Sequence, residues 1–221
     1  MRIACCTGGD EVVAYTPGMP LTLDPDDRPR AEQLIKKSRF VARLRRVTDE
    51  QGVADLIAEA RSQERGAGHH CFAYILEDEV RTERSSDDGE PGGTAGAPML
   101  AVLHARELVN VAAVVSRHFG GVKLGTGGLV RAYAGTVSAA LDSAVLIPRI
   151  RCQRYRLEVD HADAGRLEAE LRGRGFEVAD VVYAQRAALT VVADGADRLR
   201  AAVAALTAGS AELVHLGHTW R

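Results

Sequence analysis

Cysteine is scarce in this chain: Cys5, Cys6, Cys71 and Cys152 are its only four, and none forms a C-x-x-C pair. Neither a disulfide scaffold nor a paired-cysteine metal site is indicated. Long apolar runs are missing too, since no stretch approaches the roughly 20 residues that cross a bilayer. The N-terminus lacks a basic flank followed by a long apolar core. These absences point to a reduced, soluble, cytoplasmic protein with no membrane partner. An excess of one charge is also lacking: a formal net charge of −2 argues against a wholly electrostatic partner such as bulk nucleic acid or an anionic membrane. Any such contact falls to local patches. No internal repeat is present.

What the chain has is glycine, 22 residues of it, concentrated in two loops of opposite charge. SSDDGEPGGTAG spans 85–96, and RHFGGVKLGTGGLVR spans 117–131. Ordered glycine loses more backbone entropy than any other residue, so such density marks geometry or close approach that a side chain would block. Loops of this kind carry function more often than the elements they join.

The length suits two small domains. Residues 1–30, with Pro17, Pro20, Pro25 and Pro29 and the acidic Asp24, Asp26 and Asp27, read as an N-terminal extension holding one short strand signal, EVVAY. A first α+β domain is expected over 31–148. There, Leu34 to Val47 alternates as a strand, with Phe40, Ala42 and Leu44 on one face and Arg39, Arg43 and Arg45 on the other. Thr48, followed three residues later by Gln51, predicts a capped helix, and HCFAYIL at 70–76 a strand. Ala95 to Arg106 predicts a helix and Val109 to Val115 a buried strand. Val130, Tyr133, Ala134, Val137, Leu141 and Ala144 give a helix its inward stripe. Over 152–221 the pattern restarts as βαββαβ, the ferredoxin-like arrangement.

Chemistry concentrates in the two loops. Gly120, Gly121, Lys123, Gly125, Thr126, Gly127 and Gly128, running into a helix with Arg117 and Arg131 nearby, suit an anion such as phosphate. The spacing matches neither G-x-x-x-x-G-K-[ST] nor G-x-G-x-x-G; nucleotide hydrolysis and dinucleotide binding are poorly supported. Asp87, Asp88, Glu90 and Thr94 form an acidic-loop site, readable as hard oxygen ligands or as a turn whose carboxylates accept backbone hydrogen bonds. His69, His70 and Cys71 lie on a strand, where only the first and third share a side, and Cys71 as a nucleophile needs a base. Arg39 and His70 are supporting candidates. The basic strand, with Lys36, Lys37 and Arg46, is readable as a phosphodiester track, with Phe40 or Tyr74 stacking on bases if exposed, or as a solvated face. The sequence nominates no catalytic residue, no cofactor and no resident metal.

KKSRF at 36–40, HHCFAY at 69–74, SDDGEPGGTAG at 86–96 and RHFGGVKLGTGGLVRAY at 117–133 resemble the IMPACT family of YigZ-like bacterial proteins. The resemblance implies a first domain similar to domain IV of elongation factor G, a ribosomal-protein-like two-layer α/β sandwich, followed by a ferredoxin-like domain. It also implies a link to translational control, which eukaryotic members exert through a regulator of a starvation-responsive kinase. Ala97 and His118 depart from the family pattern. The function expected is a binding protein associated with translation, contacting RNA, the ribosome or a translation regulator through the basic glycine loop. The alternative is an enzyme acting on a small phosphorylated or peptide substrate, with a metal or general base in the acidic loop.

Overall fold

A computed structural model describes residues 2–3, 19–77 and 80–220. The chain divides into two compact units, with the break between Pro148 and Arg149.

In the first unit, β1 (Arg2–Ile3), β2 (Leu21–Leu23) and β8 (Val145–Pro148) form a small sheet in the order β1-β8-β2. A five-stranded antiparallel sheet is built from β3 (Arg30–Ile35), β4 (Ser38–Arg46), β5 (His69–Glu77), β6 (Arg81–Ser86) and β7 (Val111–His118), in the order β3-β4-β7-β5-β6. Three helices pack on it: α1 (Glu50–Gln63), α2 (Gly96–Ala105) and α3 (Thr126–Asp142).

Alternation along the strands gives the sheet two apolar faces. Phe40, Ala42, Leu44, Cys71, Ala73, Ala113 and Val115 pack against Met99 and Leu103 of α2 and Tyr133 and Val137 of α3. Tyr74, Ala112 and Val114 pack against Val53, Leu56 and Ala60 of α1. Helices therefore cover both faces, and the sandwich has three layers where two were expected. Burial on both faces is also why β7 reads as a continuous apolar run.

Several expectations need correction. Leu21 and Leu23 are buried in the first unit's core, and β3 begins at Arg30, so 19–30 is part of this domain and not a loose extension; EVVAY lies outside the described residues. Leu34 to Val47 is a hairpin, turning at Lys36 and Lys37 with φ of 44° and 64°, a two-residue loop whose positive φ values match strand twist. The cap of α1 is Asp49, which accepts from the Gly52 N–H at 2.8 Å, and not Thr48. In α3 the inward stripe includes Leu129, Ala132 and Ala140, while Val130 is 37% exposed.

The second unit contains β9 (Arg151–Val159), α4 (His161–Gly173), β10 (Glu177–Tyr183), β11 (Ala187–Ala193), α5 (Ala196–Thr207) and β12 (Leu213–Trp220). Its antiparallel sheet has the order β10-β11-β9-β12, which is the ferredoxin-like βαββαβ topology. Leu157, Leu189 and Val191 meet Leu167, Leu171 and Leu199 of the helices in a separate core.

Candidate functional site

The acidic loop follows β6 and leads into α2. Asp87 closes it: its carboxylate accepts the N–H groups of Gly93 at 2.7 Å, Ala95 at 2.9 Å and Gly96 at 2.8 Å. The residue thus caps α2 from outside the helix. Burial pushes its carboxyl up, but the donors from Gly93, Gly96 and Ala95 outweigh this and hold it below the usual range. Asp88, at φ 41°, accepts the His70 N–H at 2.6 Å and pairs with Arg61 at 3.3 Å. Thr94 is buried and donates to the Pro91 carbonyl at 2.6 Å. Asp87 is spent on the loop itself and Asp88 on tying the loop to His70 of β5 and Arg61 of α1, and among the described residues no three His, Cys, Asp or Glu side chains gather as a metal would need.

Glu90 joins the two loops. It is buried, and Arg117 donates to both of its carboxylate oxygens, at 2.7 and 2.9 Å. The Tyr133 hydroxyl donates to the same carboxylate at 2.7 Å. Arg117, expected at the anion site, is therefore neutralised beneath it. Its guanidinium lies against two rings, 5.4 Å from the Phe40 centroid and 5.5 Å from that of Phe119. Cys71 sits 3.4 Å from the Tyr133 hydroxyl, fully buried, and burial pushes its thiol up to about 12. Burial, Cys71 and Glu90 push the Tyr133 phenol up in turn. A thiol held protonated in this way is no nucleophile.

On the opposite face of the sheet, His70 meets Ser116 at 2.8 Å. Burial, then Arg61, pushes its imidazole down, which favours the neutral form. His118 meets Glu64 at 2.9 Å, beside Arg39 at 2.7 Å and Arg43 at 2.9 Å on the same carboxylate. Arg45 pairs with Glu59. The basic strand is thus matched to Glu59 of α1 and Glu64 just beyond it, and Phe40 and Tyr74 are buried, so that strand offers neither a phosphodiester track nor a stacking surface. Asp88, Glu90, His70 and Arg117 do not converge: His70 and Arg117 alternate to opposite faces, and two open clefts, one at Pro25, Arg46–Asp49, Gln51, Gly52 and Asp55 and one at Pro20, Arg81, His104 and Glu107–Val109, are lined by no residue of either loop.

The basic loop is held by close approach. A Cβ at Gly120 would stand 1.9 Å from the Lys37 carbonyl oxygen, so glycine alone lets the loop seat on the hairpin tip, and the Gly120 N–H donates to Ser38 at 3.3 Å. Gly121 and Gly125 have φ of 81° and 75°. Gly125 is the N-cap of α3, with no side-chain hydrogen bond to the first amides and no acidic residue in the first turn. The helices α4 and α5 also start without a side-chain cap, but Asp163 and Asp197 stand in their first turns. Beside the first turn of α3, formed by Thr126, Gly127 and Gly128, Lys123 and Arg131 are exposed and pair with no carboxylate among the described residues. Phe119, 57% exposed and against the Arg117 guanidinium, is an aromatic of this loop that the sequence pattern did not single out, although its place just before the glycine pair was an available signal.

The sequence matches two family models: the Impact N-terminal domain over residues 36–141 and a domain of unknown function, DUF1949, over 157–210. It is 40% identical over 154 residues to the IMPACT family member YvyE of Bacillus subtilis, covering 70% of this chain and 71% of that protein. It is 38% identical over 139 residues to the IMPACT family member YigZ of Escherichia coli, covering 62% and 68% respectively. A crystal structure of a hypothetical protein superposes with a TM-score of 0.72 at 32% identity, over 89% of this chain and 97% of that one.

Proposed function

The chain belongs to the IMPACT family, and from that membership together with the loop geometry we propose that it is a translation-associated binding protein that contacts a phosphate-bearing partner, RNA or the ribosome, through the basic glycine loop. The observation that carries this reading is the start of α3. Its free amide donors and the positive end of its dipole have no carboxylate among the described residues to answer them, and Lys123 and Arg131 add two cations that pair with none of those residues' carboxylates. Backbone N–H groups and fixed positive charge in one place favour an anion. Lys36 and Lys37, exposed at the hairpin tip against which Gly120 packs, extend the same positive surface.

An enzymatic reading has less support, because Asp87, Asp88 and Glu90 are consumed by backbone amides and by Arg117. A protein regulator of translation is the second reading, favoured by Val122 and Val130, exposed beside the same loop. Sedimentation with ribosomes and free RNA over a salt series, with and without nuclease, tests the choice. RNA contact predicts salt-sensitive binding that nuclease abolishes and that Lys123→Ala with Arg131→Ala weakens, with a shallower salt slope. Ribosome binding that resists nuclease and ignores the double substitution would favour the protein contact instead.

A further inference from the structure

The geometry points to Phe119 as a stacking platform for an unpaired base of single-stranded RNA, a role that rests on the RNA reading of the glycine loop and adds to it the part of the ligand that is read. Among the described residues of the first unit, Phe119 is the large aromatic left most open, 57% exposed. It is also not loose. The Arg117 guanidinium lies 5.5 Å from its centroid, and Arg117 is itself fixed by both oxygens of Glu90 and by packing on Phe40. A buried ion pair thus braces one side of the ring and leaves the remainder to solvent.

The chain neighbours of the ring supply the rest. Gly120 and Gly121 follow it directly, with Gly120 pressed on the Lys37 carbonyl, so the hairpin tip carrying Lys36 and Lys37 adjoins the ring. Lys123 and the uncapped start of α3 lie further along the same loop. An aromatic face bordered by unpaired cations is what single-stranded nucleic acid requires: the rings take bases and the cations track phosphates. A purely apolar protein contact would not need lysines at positions 36, 37 and 123. Duplex RNA, whose bases stay stacked on one another, gives Phe119 nothing to hold.

The test is fluorescence anisotropy of labelled single-stranded oligouridylate and oligoadenylate with the full chain, over a salt series. Stacking predicts that Phe119→Ala and Phe119→Leu each weaken binding by roughly fivefold to a hundredfold without changing the salt slope, and that Phe119→Trp retains it. Lys123→Ala and Arg131→Ala should instead flatten the slope. Hairpin RNA without unpaired bases should be insensitive to Phe119. If single strands bind, the lysine and arginine variants flatten the slope and Phe119→Ala binds as wild type, the stacking role is overturned while the anion reading stands. Equal binding by Phe119→Leu and wild type also overturns it, because an aliphatic side chain cannot stack. If no RNA binds, both readings fall together. Circular dichroism of each variant confirms the fold, which an exposed side chain leaves undisturbed.

Discussion

Arg117 closes on both oxygens of Glu90, at 2.7 and 2.9 Å, with side chains only 7% and 3% exposed. The pair spans the two glycine loops, which the sequence separates by some two dozen residues. Removing one partner leaves an uncompensated buried charge, so Glu90→Ala should lower stability by about 3–5 kcal/mol. Replacing both, as Glu90→Leu with Arg117→Met, should be milder than the sum of the single changes. Urea unfolding of Glu90→Leu, Arg117→Met and the double variant reads the coupling. Strict additivity would mean that the ion pair does not hold the loops together.

This pairing also marks what the sequence could and could not disclose. The four motifs, the Tyr133, Val137 and Leu141 part of the α3 stripe and the βαββαβ order of the second unit were legible, because periodicity and turn residues are local signals. Partner choice was not. Arg117 and Lys123 look alike as cations in sequence, yet strand alternation turns Arg117 inward onto Glu90 while Lys123 stays in the loop. Likewise Lys36 and Lys37 carry none of the Asn-Gly chemistry that announces a two-residue hairpin, so the turn was hidden inside an apparent single strand. Glu64, which follows α1 and neutralises Arg39 and Arg43, could be assigned to them only once α1 was placed on that face of the sheet.

Glu64 provides a test in pH. Burial pushes its carboxyl up, but hydrogen bonds from Arg43 and His118 and the charge and hydrogen bond of Arg39 prevail and bring it from 4.5 to about 2. A carboxyl depressed in the folded state contributes stability that is complete above its unfolded value and is lost as pH falls through the folded one. The contribution, on the order of 3 kcal/mol, should therefore disappear between about pH 4.5 and about pH 2. Glu64→Gln should be less stable than wild type at neutral pH, with the gap narrowing across that window. Parallel stability curves for the two proteins would place the acid sensitivity elsewhere.

Cys71 should be inert in the folded protein. Full burial and a thiol pushed up to about 12 leave almost no thiolate near neutrality. In a Cys5→Ser, Cys6→Ser background, a disulfide reagent should label Cys71 only at the rate of unfolding, and added denaturant should accelerate it. Rapid labelling of that residue under native conditions would contradict the buried hydrogen-bonded thiol.

The two glycines that follow Phe119 should respond differently to alanine, for separate reasons. At Gly121 the space is open but φ is 81°, so a side chain meets only backbone strain of about 1 kcal/mol. At Gly120 φ is not the obstacle; the new Cβ would stand 1.9 Å from the Lys37 carbonyl oxygen and 2.1 Å from its carbon. Backbone cannot yield as a flexible side chain does, so the loop must lift from the hairpin tip, at about 3 kcal/mol. Lifting it also parts Lys36 and Lys37 from the start of α3. Gly120→Ala should therefore weaken RNA binding more than Gly121→Ala, even at temperatures where both variants remain folded. Thermal unfolding and anisotropy on the same samples separate the two effects, and equal binding by the two variants would show that the lysine tip does not belong to the anion surface.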